Sequence, residues 1–591
     1  MSISQNFPIV SPSLNLDFAN TKVLDSRITF SRPTSAVYYD GQTVTKAEEN
    51  LFTYSQEFDN AYWSTYQAGV TANTTIAPDG TTTAETLTNA STDGAIYRVY
   101  GVAGTYTTSI FAHAATTSTI TLDWSTSGNG RQATFDLIAG TATAVAQIGT
   151  GGTVTGGTSS IVNIGNGWYR CIISDITVSS TNAFVIVVVG ASTSSVYLWG
   201  AQLEQHDTVT AYQPTTTQPI TNYIPTLLTA PANTARFDHN PVTGESLGLL
   251  VEEQRTNLLT YSEDFDNASW SKNNVTVTAN TIVAPDGSLT SDKVIANVGI
   301  NFHSVIQNPS ITPSTVYTLS CFLKRGEYQY GFLYSDGATK GAIFDLDSLT
   351  VTGSILGVPT SSTIVDAGNG WARCSITFTS GVSTFSNTWV GPTSSPTSAN
   401  IAGDGYSGIY IWGAQLEAGA FPTSYIKTEA SQVTRSADSA SITGANFSDW
   451  YRQDEGSFYA EASWISRSQL NQSVIGLDTE GSNVNWFGVG YAVGGFTNSN
   501  AAYNVNGVFL QNLSSVTLDN TFYKFAIALK TNDVALTTNS SSIANDTSGY
   551  IGSVNRFRIG TYLYGAMSGH IKKIAYYPQR LSNINLQALT S

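Results

Sequence analysis

Charge is what this 591-residue chain has least of: charged residues make up 12% of it, against about 25% in ordinary soluble proteins. The 26 basic and 42 acidic residues leave a net charge of −16 with no basic cluster. Such a field repels phosphate backbones and argues against a nucleic-acid partner. Cysteine is scarce too, with three residues, so there is no disulfide framework and no metal-ligand spacing. Cys171 and Cys374 alternate with apolar neighbours such as Ile173 and Ile376, the pattern of small buried hydrophobes. The longest apolar run, Phe184 to Val189, is far short of the roughly 20 residues that cross a bilayer. Membrane insertion is therefore not expected. The start, Met1-Ser2-Ile3-Ser4-Gln5, has neither the basic region nor the apolar core of a signal peptide, and synthesis in a cytoplasm is expected. The five histidines, His113, His206, His239, His303 and His570, show no H-x-x-x-H or H-E-x-x-H spacing, and no Gly-rich phosphate loop with its Lys occurs. Zinc chemistry and nucleotide hydrolysis have no support.

What the chain does have is Gly, Ser, Thr, Asn and aromatic residues. Ser, Thr and Asn suit turns and wet strand faces, and Thr, Val and Tyr suit the strands, so the expectation is all-β. The chain also repeats itself. Asn50-Leu51-Phe52-Thr53-Tyr54-Ser55-Gln56-Glu57-Phe58-Asp59-Asn60 returns as Asn257-Leu258-Leu259-Thr260-Tyr261-Ser262-Glu263-Asp264-Phe265-Asp266-Asn267, at a spacing of 257 − 50 = 207. Each copy closes on Trp-Gly-Ala-Gln-Leu-Glu, at Trp199 to Glu204 and at Trp412 to Glu417. A unit of roughly 170 residues is a duplicated domain, since solenoid periods run about 20 to 50. Within each copy, runs of five to eight residues with period-two alternation stand between Gly, Asn, Pro and Ser clusters, the pattern of a β-sandwich.

Five stretches follow. Residues 1–48 are too short for a core of their own and are expected to lean on a neighbouring domain or to dock on a larger assembly. Residues 49–213 and 256–430 are the two sandwich modules. Residues 214–255 form a connector with two short strands around the Pro/Gly turn of Arg236 to Leu250. Residues 431–591 are a different β domain, with Phe458, Ala460, Ala462 and Trp464 on one face and Tyr523, Phe525, Ile527 and Leu529 on another. In the first module Ile120, Leu122 and Trp124 share a face, and the second module is expected to place Tyr330, Phe332 and Tyr334 on the same core face. Phe184 to Val189, aligned with Phe385 to Val390, is apolar on both faces. It is expected to pack Val185 and Val187 against another chain or the N-terminal segment.

Gly244-Glu245-Ser246-Leu247-Gly248 fits the G-x-S-x-G nucleophile elbow, which works only where a strand turns sharply into a helix. Here it lies between all-β modules, so no catalytic residue is assigned, even with Asp238 and His239 nearby. Glu57 with Asp59, and Asp264 with Asp266, are acidic pairs repeated in both copies. Turn capping is the first reading and calcium ligation by oxygen the second, with Asp59 and Asp266 as the ligands because both precede the same Asn. Sugars need aromatic planes beside hydrogen-bonding groups. With 11 Trp and 30 Tyr the material is plentiful, and the informative rings are those without a counterpart in the other copy. Tyr328 (against Ser118), Trp389 (against Val188) and, in the last domain, Trp486 are the candidate glycan contacts.

The connector, Phe237-Asp238-His239-Asn240-Pro241-Val242-Thr243-Gly244-Glu245-Ser246-Leu247-Gly248-Leu249-Leu250-Val251-Glu252-Glu253-Gln254-Arg255-Thr256-Asn257-Leu258-Leu259, resembles the phage head spike fiber domain family of tailed-bacteriophage virion proteins. The Trp-Gly-Ala-Gln-Leu-Glu closures and the opening Leu14 to Tyr39 fit the same pattern, and the likeness spans about residues 10–430. Each module also resembles carbohydrate-binding jelly rolls that begin Asn-Leu-Leu. The last domain, through Ile574-Ala575-Tyr576-Tyr577-Pro578-Gln579-Arg580-Leu581-Ser582, is similar to laminin G and concanavalin A-like sandwiches, where calcium is common but not universal. These likenesses imply tandem jelly rolls, a lectin-like terminal sandwich and a place on the virion exterior. They also imply attachment to other virion proteins through the N-terminal region, a homotrimer, and weak contact with host-surface polysaccharide. A tail fibre, a pure cement protein and a tailspike depolymerase are the alternatives; the last expects a long β-helix and a carboxylate groove, and neither is visible in the sequence.

Overall fold

The computed structural model describes residues 10–126, 129–149, 152–179, 182–188, 190–465, 472–480, 482–491, 499–505, 508–514, 522–547, 552–562 and 565–591. Strands dominate throughout, and the three short helices, Phe18–Thr21, Ala445–Ser448 and Asn583–Leu589, cap or flank sheets.

The two duplicated stretches fold strand for strand alike. In the first, one sheet runs Thr141–Ala142, Asn129–Asp136, Thr119–Thr126, Asn182–Val188, Ala95–Tyr100 and Ser64–Tyr66. Its equivalent in the second runs Thr350–Ile355, Lys340–Asp345, Tyr330–Ser335, Thr388–Thr393, Ser304–Gln307 and Ser271–Asn273. The opposed sheets match in the same way, around the central strands Gly104–Ala114 and Val316–Arg325. Each module is a jelly-roll sandwich, with Trp124, Phe135, Cys171 and Phe184 inside the first and Trp270, Phe344, Cys374 and Leu416 inside the second.

The repeated polar residues are the clasp that closes each sandwich. Asn50 is buried, donates to Ala201 O and Gln213 O, and accepts from Phe52 N and Leu203 N. Asn257 makes the same four bonds with Ala414 O, Ile426 O, Leu259 N and Leu416 N. A fully satisfied buried amide rigidifies, whereas a half-satisfied one destabilises, which explains why no other residue type fits here.

Residues 14–31 do not stand apart as an N-terminal segment. Leu14–Asp17 pairs with Gly569–Tyr577, with Leu14 opposite Tyr576, and Thr29–Ser31 pairs with Ser439–Thr443. The connector hairpin Arg236–His239 and Ser246–Val251 joins the same sheet, with Leu249 opposite Ile571. The terminal sandwich is therefore assembled from three separated pieces of chain, and its core mixes Leu14, Phe18 and Leu249 with Phe458, Phe525, Phe557 and Ile574. Both jelly rolls are insertions into it. The first leaves and returns through the paired strands Ala36–Asn50 and Ile220–Ala230, the second through Arg255–Asn257 and Val433–Arg435.

Where these two stalks root, five charges are sealed from water. Asp438 accepts from Arg32 at 2.9 Å and from Arg236 at 2.6 Å, and Glu252 accepts from Arg236 at 2.8 Å and from Arg435. All five side chains are at most 1% exposed. Burial of an ion is tolerable only with this density of partners. The second module also leans on the first stalk through Lys324 to Glu48 at 2.6 Å, and Tyr406 packs into the first module's cluster of Trp168 and Trp199.

Two expectations change. Tyr330, Phe332 and Tyr334 face away from the core, because Leu333 is the inward residue of that strand; a one-residue slip in register reverses every side chain. The N-terminal stretch is no separate attachment segment, since its described strands Leu14–Asp17 and Thr29–Ser31 belong to the terminal sandwich. The side chains of Val185 and Val187 lie outside the described residues, although their strand is central, paired on both sides.

Candidate ligand-binding face of the second module

The outward face of the sheet that carries Tyr330–Ser335 and Thr388–Thr393 is aromatic. Register places Tyr334 opposite Trp389, Phe332 opposite Gly391 and Tyr330 opposite Thr393. Val390 and Leu333 point into the core, so alternation sends Trp389, Tyr334, Phe332 and Tyr330 to the other side. Phe302 completes the group, edge-on to Trp389 at 6.1 Å and to Phe332 at 6.3 Å, while Tyr334 stands edge-on to Trp389 at 5.8 Å. Phe332 and Ile343 are fully buried and Ala399 packs over this cluster. Trp389, Tyr330 and Phe302 remain half-buried.

Polar groups border the rings. Asp336 accepts from Asn387 N at 2.6 Å and from the Asn387 side-chain amide. Burial, and then Asp336, push the Tyr334 hydroxyl upward. The indole N–H of Trp389 is buried without a hydrogen-bond partner. A buried donor left without an acceptor costs free energy, so this ring is held in place by its packing rather than by its N–H.

The same place in the first module is different. Asp123 lies opposite Val185 as Tyr334 lies opposite Trp389, so the register aligns Trp389 with Val185 rather than with Val188. Asp123 has a buried carboxylate oxygen with no partner, and burial raises its pKa to about 6. Thr121, the counterpart of Phe332, is hydrogen-bonded to Thr134 at 3.0 Å. One copy presents rings and the other an acid among hydroxyls.

The other candidates are dispersed. Tyr328 packs on the opposite, core side of the module, with its N–H on Gly408 O at 3.1 Å, and burial followed by Asp404 pushes its hydroxyl up to about 12. It does not join Trp389. Trp486 lies on the strand Ser482–Tyr491 with its backbone opposite Asp478, and its side chain is outside the described residues. Asp478, expected in a polar loop, lies on the strand Gln472–Thr479 and is pinned by Arg556 and Arg558.

Asp59 and Asp266 are exposed at the opening turns. Behind them are two buried carboxylates that the sequence reading missed. Glu85 accepts from Asp59 N at 3.0 Å, and Asp292 accepts from Phe265 N at 2.8 Å and Asn280 N at 3.0 Å. Their signal was present, since 292 − 85 = 207, but the change from Glu to Asp conceals it. Among the described residues no group of three or more His, Cys, Asp or Glu side chains is placed to hold a metal.

Ser246 begins a hairpin strand with no helix after it, opposite His239. Neither Ser246 Oγ nor His239 Nε2 has a hydrogen-bond partner, so the nucleophile–base bond that a hydrolase needs is not made. Asp238 is bound instead to His570 at 2.9 Å.

No family model matches this chain, and no curated protein does. Among solved structures it is similar to the Ruminococcus gnavus IT-sialidase CBM40, at 16% identity over 24% of this chain and 84% of that one, TM-score 0.20. It is also similar to the tandem CBM22 domains of Paenibacillus barcinonensis Xyn10C, at 11% identity over 63% and 99%, TM-score 0.19. The LG1-3 region of the laminin alpha2 chain aligns at 9% identity over 84% and 97%, TM-score 0.20. The sandwich architecture stands on the strand pairings themselves.

Proposed function

We propose that this chain is a non-enzymatic adhesive protein of the exterior of a tailed-bacteriophage particle, a capsid fibre or decoration protein whose second jelly roll holds host-surface glycans weakly. One observation carries the adhesive half: half-buried Trp389, Tyr330 and Phe302, packed around buried Tyr334 and Phe332, form an aromatic face turned away from the inter-sheet core, where the first module has Asp123 and Thr121. The virion half is supported by the likeness of the connector to phage spike proteins. Attachment to other virion proteins, homotrimer formation and the choice between head and tail belong to the same proposal. Many copies on one particle convert millimolar contacts into useful avidity through high local concentration.

A glycan array probed with the purified chain tests the adhesive half. Binding to host polysaccharide by the wild type, lost in Trp389→Ala with the fold intact, is the expected outcome. A blank array makes it a cement protein, and shortened polysaccharide chains make it a depolymerase. Immunogold labelling of intact particles tests the location, and absence of label from mature particles overturns the virion half.

A further inference from the structure

Phe302 reaches Trp389 from a two-stranded ribbon, Gly299–Phe302 paired with Asn400–Gly403, that joins no larger sheet. Among the described residues the first module has no such ribbon. Side chains therefore have to hold it down. On the near strand, Phe302 O accepts from the Asn273 amide at 2.9 Å and from the Asn274 amide at 3.3 Å. On the far strand the tie is His303. Its ring is fully buried, with Nδ1 2.7 Å from Asn274 O and Nε2 3.1 Å from Ile401 O.

Both partners are backbone carbonyls, which accept and never donate. A neutral imidazole has one N–H, so it satisfies one of the two and turns a lone pair on the other, whereas an imidazolium satisfies both. Register marks the ring as peculiar to the second copy. Asn273 pairs with Ser304 as Tyr66 (273 − 207 = 66) pairs with Ala95, which places Gly94 where the second module has His303, and Gln67 where it has Asn274. A Cβ on Gly94 would collide with Gln67 O, so the first module has no room for a ring there. The ring and the ribbon it ties occur together.

We propose that His303 is a proton-operated clasp on the aromatic face: doubly protonated, it ties the ribbon to the sheet, and on losing the Nε2 proton it releases Ile401 O and loosens the ribbon that carries Phe302. Nδ1 makes the shorter bond and keeps its proton. The tie is therefore complete in acid and lost as pH rises, in the range from about pH 5 to 8 where histidine side chains change charge. Bonds from a charged donor are the stronger kind, so the two carbonyls favour the imidazolium. The neighbouring strands Ser271–Asn273, Val275–Ile282, Ser304–Gln307 and Thr388–Thr393, and the ribbon itself, carry one charged residue, Lys272, whose ammonium is held by the carbonyls of Asp266, Asn267 and Trp270. On Ser291–Ala296, Asp292 is bound to the Phe265 and Asn280 amides and Lys293 to Glu327 at 2.8 Å. Asp404, just beyond the ribbon, caps Tyr406 N and Ser407 N. Among the described residues no carboxylate bonds to His303, so its protonation answers to the two carbonyls. The consequence for glycans rests on that face being the glycan site; the clasp itself does not.

Hydrogen exchange of the full chain, with ribbon rates divided by those of an unstructured peptide at the same pH, reads the clasp without any glycan. Between about pH 5.5 and about pH 8 the ribbon amides are expected to lose protection about tenfold or more, the worth of one charge-assisted bond. In His303→Gln, which cannot titrate, protection is expected to be the same at both. Unchanged protection in the wild type, or a loss that persists in His303→Gln, overturns the clasp. Nitrogen chemical shifts of the wild-type His303 ring are the second readout. Two N–H groups at the lower pH are expected, and a single one there overturns the clasp even where His303→Gln does not fold. Host polysaccharide on the array is expected to bind more strongly at the lower pH. Equal binding at both, with the exchange switch present, overturns the gating of the face. A blank array with the switch present upholds the clasp and overturns the adhesive reading instead.

Discussion

The two jelly rolls agree in the clasp and in the core between their sheets, and differ on the face of one sheet that turns away from that core. Asn50 and Asn257 make the same four bonds, yet Tyr334 and Trp389 stand where the first copy has Asp123 and Val185. Duplication fixed the clasp, because a missing partner there strands a buried amide. The outer face tolerated replacement, since nothing in the core depends on it. Repetition therefore marks scaffold, and its breakdown marks where function has diverged.

The largest expected effect tests what the copies share. Asp438→Ala leaves Arg32 buried without a carboxylate and Arg236 with Glu252 alone, which typically costs roughly 3–5 kcal/mol. Both modules should lose their anchorage together, seen as earlier denaturation and as protease cleavage at both stalks. Survival of one stalk alone would show that the copies are rooted independently. The arginines hold Glu252 well below the usual carboxylate range. A depressed folded pKa stabilises above the unfolded value and is lost only as pH falls through the folded one. The pairs that Glu252 makes with Arg236 and Arg435 should thus persist on acidification through pH 4 and fail only in stronger acid.

Next, Asn257→Ala breaks one clasp and spares the other. The second module should lose about 4 kcal/mol, from four stranded partners at about 1 kcal/mol each, while hydrogen exchange in the first stays unchanged. Exchange rising equally in both would mean that the modules unfold as one unit.

A smaller effect concerns the face on which they differ. Trp389→Ala should weaken glycan binding about tenfold or more, equivalent to about 1.4 kcal/mol, and should also lower the melting temperature, because the ring packs against Phe302 and Tyr334. The double change Asp123→Tyr with Val185→Trp should confer some of that binding on the first module. Failure of both would remove the aromatic face from the account.

The smallest effect is a difference in pH response, measured at the two opening turns. Glu85 is raised to about 8 and Asp292 to about 6. A raised carboxylate pKa means the folded state holds its proton longer, so stability falls as pH climbs from the unfolded value to the folded one. The first module should lose stability up to about pH 8, on the order of 1 kcal/mol per unit, and the second only to about pH 6. Glu85→Gln should flatten the first curve.

Much of the architecture was legible. The spacing of 207 located both modules, period-two runs gave strands, and Phe458, Ala460, Ala462, Tyr523, Phe525 and Ile527 do share one core. The face of Tyr330–Ser335 was not, because a strand apolar at Leu333 and aromatic at Phe332 and Tyr334 has no polar side to fix its sense. The aromatic site was half seen: Trp389 was singled out, but its partners Tyr334 and Phe302 needed cross-strand register and a separate ribbon to reach it.

By itself the sequence determined the local rules: all-β structure, two copies of one sandwich, and turns rich in Asn, Asp and Gly. These follow from side-chain period and backbone preference, which act over a few residues. Only the tertiary structure decided that Leu14 pairs with Tyr576 and that Arg32 meets Asp438. Both jelly rolls are therefore insertions in a sandwich woven from both ends of the described chain. Strand pairing is satisfied by any edge of matching polarity and length, and burial of a charge by any opposite charge. Partners more than 400 residues apart are thus chosen by the whole packing and leave no mark in the neighbouring sequence.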